Sequence, residues 1–151
     1  MRRLIPLLLG ATLLGGCGAP TAPGDPAEAL ARNRSLWARK GPASYQIVMS
    51  RVCECLPEAT QPVTIVVRNL VVEGRRYLSG APVDPQYDAL FVSIPELFDL
   101  IGQAIDGDAP GIAVRYHGQL GYPESIQIDW VAGTADDEVS YLMSDFGPVA
   151  P

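Results

Sequence analysis

Ser93-Ile94-Pro95-Glu96-Leu97-Phe98-Asp99-Leu100-Ile101-Gly102-Gln103-Ala104-Ile105-Asp106, residues 93 to 106, is the stretch on which the fold turns. Ser93 and Glu96 have the spacing of a capping box, and Val92 and Leu97 stand where a hydrophobic staple forms. Ile94, Leu97, Phe98, Ile101, Ala104 and Ile105 then share one helical face, and Asp106-Gly107 stops the run. A helix this one-sided has to lie on a sheet, so strands are expected on both sides of it in the chain.

Upstream, Ser44 to Cys55 alternates, with Tyr45, Ile47, Met49, Arg51, Cys53 and Cys55 pointing one way. Val63, Ile65 and Val67 mark a second strand, Arg68-Asn69-Leu70 a turn, and Val71 to Tyr77 a third strand of a meander. Asn-Gly would suit that hairpin better than Asn69-Leu70. Ser79 to Phe91 reads as a long loop, a length that marks either a functional or a loose segment. Downstream, Ile112, Val114 and Tyr116, then Ile126, Ile128 and Trp130, then Val139, Tyr141 and Met143 alternate as three more strands, with order ending at Gly147-Pro148. A further helix starts at the Asp25-Pro26-Ala27-Glu28 cap and stops at Lys40-Gly41-Pro42, with Trp37 as its main apolar side chain and Arg34 interrupting its stripe. Helix, three strands, helix, three strands, with short links, predicts an α+β domain. Its antiparallel sheet has about six strands, one main helix packed on a face and an N-terminal helix.

The N-terminus has a different character. Arg2 and Arg3, an apolar run from Leu4 to Leu14, and small residues before Cys17 have the form of an export signal, and the run is too short to span a bilayer. Leu14-Gly15-Gly16-Cys17 resembles the bacterial lipoprotein lipobox. That resemblance implies a diacylglyceryl thioether on Cys17, cleavage before it, and acyl chains that hold the protein on a membrane. Gly18 is compatible with sorting to the outer membrane where a bacterium has two. The expected organisation is a signal over 1–16, a lipidated tether over 17–24, one domain over 25–147 and a tail over 148–151. Without the signal, nine Lys and Arg face seventeen Asp and Glu, a charge of about −8. Nucleic acid and anionic headgroups are thereby disfavoured as partners.

With Cys17 taken by lipid, Cys53 and Cys55 remain as an even pair in an oxidising compartment. Two residues of straight strand span roughly 6.6 Å, near the upper limit for bridged α-carbons, so a bond there needs a bend, which Leu56-Pro57 makes plausible. A local disulfide is the leading reading; free thiols, a redox pair and a metal site are the others. The lone histidine, His117, reads as structural. Asp129, Asp136, Asp137 and Glu138 invite a calcium reading, but their spacing does not match a calcium loop and a solvated acidic turn fits better. Asp106-Gly107-Asp108 is a helix stop and turn. The sequence carries no nucleophile elbow, P-loop, dinucleotide fingerprint or paired-histidine metal helix, and it points to no cofactor.

Taken together, Trp37, the Tyr45 strand, Cys53-Glu54-Cys55, the Val-rich hairpin, Gly121-Tyr122-Pro123 and Asp129 resemble a family of bacterial lipoproteins known only as a domain of unknown function, family 6174. The resemblance runs from Trp37 to Phe146 and implies no activity. The expected function is therefore a non-catalytic interaction or structural module, tethered to the cell envelope by lipid. It would meet an envelope protein through an exposed sheet face or the loop before Ser93. Two alternatives stand beside it: thiol exchange at Cys53 and Cys55, and small-ligand binding between helix and sheet.

Overall fold

The computed structural model describes residues 24–134 and 138–150. The chain forms α1 (Pro26–Lys40), β1 (Tyr45–Val52), α2 (Pro57–Thr60), β2 (Val63–Arg68), β3 (Val71–Tyr77), a 3₁₀ turn (Pro85–Leu90), α3 (Ile94–Asp106), β4 (Gly111–Tyr116), β5 (Pro123–Asp129) and β6 (Val139–Pro148). All six strands join one antiparallel sheet in the order β3-β2-β1-β6-β5-β4. This is the α+β architecture implied by the order of elements, and the two meanders meet along β1 and β6.

The helices cover one face. Ile94, Leu97, Phe98, Ile101 and Ala104 of α3 are buried against Tyr45, Ile47 and Met49 of β1, Val63, Ile65 and Val67 of β2, and Ile126 and Ile128 of β5. Glu96 accepts hydrogen bonds from the Ser93 backbone N–H at 2.8 Å and from the Ser93 hydroxyl at 2.6 Å. The hydroxyl bond is the main reason its carboxyl sits below the ordinary value. The Ile94 N–H donates to the Tyr45 hydroxyl at 3.0 Å, tying the start of α3 to the start of β1. Burial pushes the Tyr45 phenol up to about 12.

On α1, Trp37 is buried and Arg34, which interrupts the apolar stripe, reaches across to Asp99 of α3 at 2.8 Å. The α1 helix therefore packs on α3 and on the sheet end at once.

Three expectations are corrected. Strand β1 ends at Val52 rather than at Cys55, because the chain bends at Cys53-Glu54 and passes into α2, an element with too few residues to show a period. The segment 79–91 is not an open loop. Asp84 caps its 3₁₀ turn, Val83 and Phe91 are buried, and Arg76 bridges Pro82, so the segment lies along the outer edge of β3. The last strand does not stop before Gly147-Pro148 but takes them in and ends at Pro148, since Gly147 pairs with Gln46 and Pro148 with Tyr45. Plain alternation along β6 would send Asp145 inward after Val139, Tyr141 and Met143. Instead β6 carries one extra residue between Ser144 and Gly147, and Asp145 adopts φ 48°. This bulge shifts the phase of the strand, so Phe146 rather than Asp145 faces the core.

The β2–β3 turn is tight despite lacking glycine. Arg68 pairs directly with Val71, and Asn69 and Leu70 sit at φ 48° and 69°. The Asn69 N–H donates to the Ser44 hydroxyl and the Leu70 N–H to the Ala43 carbonyl, which hold the strained pair in place.

Two outcomes are expected in urea titrations. Deleting Asp145 restores plain alternation and leaves Phe146 in the inward position opposite Ile47, so its cost should stay well below the about 2–4 kcal/mol expected for Phe146→Ala. Leu70→Gly removes the left-handed penalty of an exposed leucine and should raise the midpoint, by about 0.5–1 kcal/mol of stability, with an unchanged m-value.

Candidate functional site

The chemistry-bearing residues fall at two ends of the sheet. At the first, β1 runs out into Cys53-Glu54-Cys55. The two sulfurs lie at disulfide distance, with α-carbons 5.3 Å apart, closer than a straight strand would hold them. The bend that brings them together is closed by the Cys55 N–H donating to the Cys53 carbonyl at 2.9 Å. Cys53 is half-buried and packs against the core, whereas Cys55 is exposed.

Arg51, two residues before Cys53, completes this corner. Its guanidinium lies 5.4 Å from the ring centre of Tyr141, and its Nη1 reaches the Ala59 carbonyl at 3.4 Å. Its Nε is buried and has no hydrogen-bond partner among the described residues. A buried donor left unpaired is costly, so this one stands out. The Tyr77 hydroxyl donates to the Glu58 carbonyl at 3.1 Å and Ala59 is buried, so α2 is held from both sides.

At the opposite end, the residues that looked most like a motif are packing. Trp37 meets Tyr45, Tyr122 and Phe146 edge-on at 5.4–6.1 Å between ring centres, and Tyr122 stacks on Phe146 at 4.8 Å. Gly121, at φ 81°, brings its backbone so close to α1 that a Cβ there would lie 2.6 Å from the Asn33 carbonyl oxygen. Gly121-Tyr122-Pro123 is thus a docking turn: the glycine permits contact with α1, and the tyrosine enters the aromatic cluster. His117 serves the same turn. Its Nδ1 accepts from the Gln119 and Leu120 N–H groups at 3.3 and 3.2 Å, and its ring stacks on Tyr122 at 4.8 Å. One ring face and one nitrogen are committed to structure, through contacts that the local sequence does not specify.

The acidic residues are only partly within view. Asp136 and Asp137 lie outside the described residues, as do Cys17, the signal and most of the tether. Asp129 lies against Gly111, with Oδ1 buried and unpartnered, beside a shallow hollow of about 410 Å³ that Glu138 also lines. Among the described residues, no three metal-capable side chains come together, and no helix is long and apolar enough to cross a membrane.

Between α3 and the sheet the interior is filled, with Leu97, Phe98 and Ile101 essentially inaccessible. An open groove of about 560 Å³ lies instead between α1 and β4, floored by Ile101 and walled by Ala29, Ile112, Val114 and Tyr116.

The second face of the sheet has no element over it among the described residues. Gln46, Ser50, Thr64, Ser125, Gln127, Ser140 and Ser144 alternate there with the inward residues, and Leu142 stands at its middle, 49 % exposed. Leu142 pairs across the ladders with Ser50 on one side and Ser125 on the other.

Comparison with known proteins places the chain in a family. Residues 29–148 match the family of unknown function DUF6174, and the chain belongs to it. No curated protein and no solved structure matches it.

Gly121→Ala should cost about 3 kcal/mol or more in thermal or urea unfolding, because it combines a backbone clash with a left-handed φ. Gly118→Ala, where a Cβ meets nothing within 4 Å, should cost under about 1 kcal/mol and serves as the control.

Proposed function

We propose that this member of the DUF6174 family is a lipid-anchored module of the cell envelope that binds another protein across the uncovered face of its sheet, in a contact that involves no catalysis. The anchor rests on Leu14-Gly15-Gly16-Cys17 and its likeness to a lipobox, with Cys17 carrying the lipid and the domain facing the periplasm or the surface. An acidic domain gains little from anionic headgroups, so the lipid supplies the attachment and leaves the sheet face to other contacts.

Leu142 is the observation that carries the binding half. A half-exposed leucine at the centre of a sheet face, flanked by Ser50 and Ser125, has the layout of an interface anchor: an apolar side chain ringed by groups that tolerate water. Its own fold does not need it there, since the core lies on the other face. The long segment before Ser93 is less suited to the role, because Val83 and Phe91 tie it into the core.

Crosslinking of intact envelopes followed by recovery of the tagged protein tests both halves. A specific partner should be recovered with the wild type and fall about tenfold or more with Leu142→Lys, whose folding stability should stay within about 1 kcal/mol. Cys17→Ala should lose fatty-acid label and leave the membrane fraction. Equal recovery with wild type and Leu142→Lys, or unchanged labelling of Cys17→Ala, would contradict the corresponding half.

A further inference from the structure

We propose that the Cys53–Cys55 bridge is a directional site of thiol–disulfide exchange, in which an external thiolate attacks Cys55 and Cys53 leaves as a thiolate held by Arg51. The inference concerns the corner at the end of β1, and it stands whether or not the sheet face binds a partner.

Three observations set the direction. Cys55 is exposed whereas Cys53 is half-buried against the core, so an incoming sulfur reaches Cys55 first. Arg51 stands near the end of β1 and Cys53 two residues on, where the chain bends, and both are on the helix-covered side, where Arg51 lies over Tyr141 and Cys53 packs on the core. The Arg51 Nε–H is buried and unpartnered. A thiolate on Cys53 would give that donor a charge-assisted hydrogen bond, which the bridged sulfur cannot match. Next to Cys55 in the chain and three residues beyond it stand Glu54 and Glu58, exposed carboxylates that disfavour negative charge on Cys55. The orphan donor thus has a use only in the reduced state.

The attacking thiolate forms a bond to Cys55 Sγ, the Cys53–Cys55 bond breaks, and its electron pair leaves with Cys53 Sγ. A second thiol then attacks the mixed disulfide, and the Cys55 sulfur leaves and takes a proton from water. The net result is a reduced pair on this protein and one new disulfide between the donor thiols. The donor is a thiol, either a small molecule or the dithiol of another exported protein. A cation beside the leaving sulfur speeds such exchange by stabilising the thiolate as it departs.

The mature protein, purified oxidised in detergent, is treated with reduced glutathione and, separately, with a reduced peptide carrying Cys-x-x-Cys at equal thiol concentration. The reaction is quenched with an alkylating agent and mapped by peptide mass. Glutathione should be found on Cys55 and the alkyl group on Cys53. Faster reaction with glutathione assigns the site to small thiols, and faster reaction with the peptide assigns it to protein dithiols; either supports exchange.

Arg51→Gln should slow reduction about fivefold or more, while Arg51→Lys, which keeps the charge but loses the Ala59 contact, should stay within about threefold of wild type. A merely structural Arg51 gives the opposite sign, since a loosened corner is reduced faster in both variants. Where Arg51→Gln does not fold, the wild-type mapping and Arg51→Lys decide. Glutathione mapped to Cys53, a bridge that survives excess dithiothreitol in the folded protein, or faster reduction of both variants overturns the proposal.

Discussion

The bulge at Asp145 is the constraint on which the rest of this structure depends. It lets β6 run alongside β1 for its whole length and still deliver Phe146 to the core. Were Asp145 kept in plain alternation instead of in a bulge, the strand would face the cluster with its carboxylate, and a charge buried without a partner is expensive. With the bulge, Phe146 stacks on Tyr122 and meets Trp37 and Tyr45, so that α1, the β4–β5 turn and both central strands are joined through one set of rings. The two meanders become a single six-stranded sheet because this contact holds at one end, while the start of α3 is tied to Tyr45 beside it.

The division of labour between the two ends of β1 follows from this. Its first residue, Tyr45, belongs to the aromatic cluster, together with Trp37 and the Gly-Tyr-Pro turn, and those residues are accounted for by packing. Its far end carries Arg51 and the cysteine pair, where the satisfied hydrogen bonding of the core gives out. Buried polar groups without partners concentrate where structure alone does not explain the residue, and here one lies two positions from a disulfide. The uncovered face of the same strands supplies a third surface, mostly polar but carrying Leu142 at its middle together with Val48, Val52 and Val66.

Much of the fold was legible in the chain. The α3 cap, its apolar face and its stop signal act within a few residues of one another, and the same holds for the alternation of β2, β4 and β5. The pairing of Cys53 with Cys55 was open to geometry only as a choice among alternatives, since it turns on a bend that alternation does not reveal. The 3₁₀ turn and α2 were not legible, because elements of four to six residues carry too little period and are held by distant partners such as Tyr77 and Arg51. The role of Leu142 was hidden for a related reason: alternation put it opposite Tyr141 and Met143, but nothing local says whether a second layer covers it.

The sequence by itself determined the class of fold, the helix limits within a residue or two and the acidic balance of the domain, all properties of short-range energetics and composition. Only the tertiary structure decided that β1 and β6 are neighbours, that Phe146 and not Asp145 faces inward, that Gly121 must lie against Asn33, and that Arg51 is left with a buried, unpartnered donor over Tyr141. The physical reason is range. A cap or an alternating strand is settled by the next few residues, whereas these four facts depend on groups dozens to about a hundred positions away, whose proximity no local preference encodes.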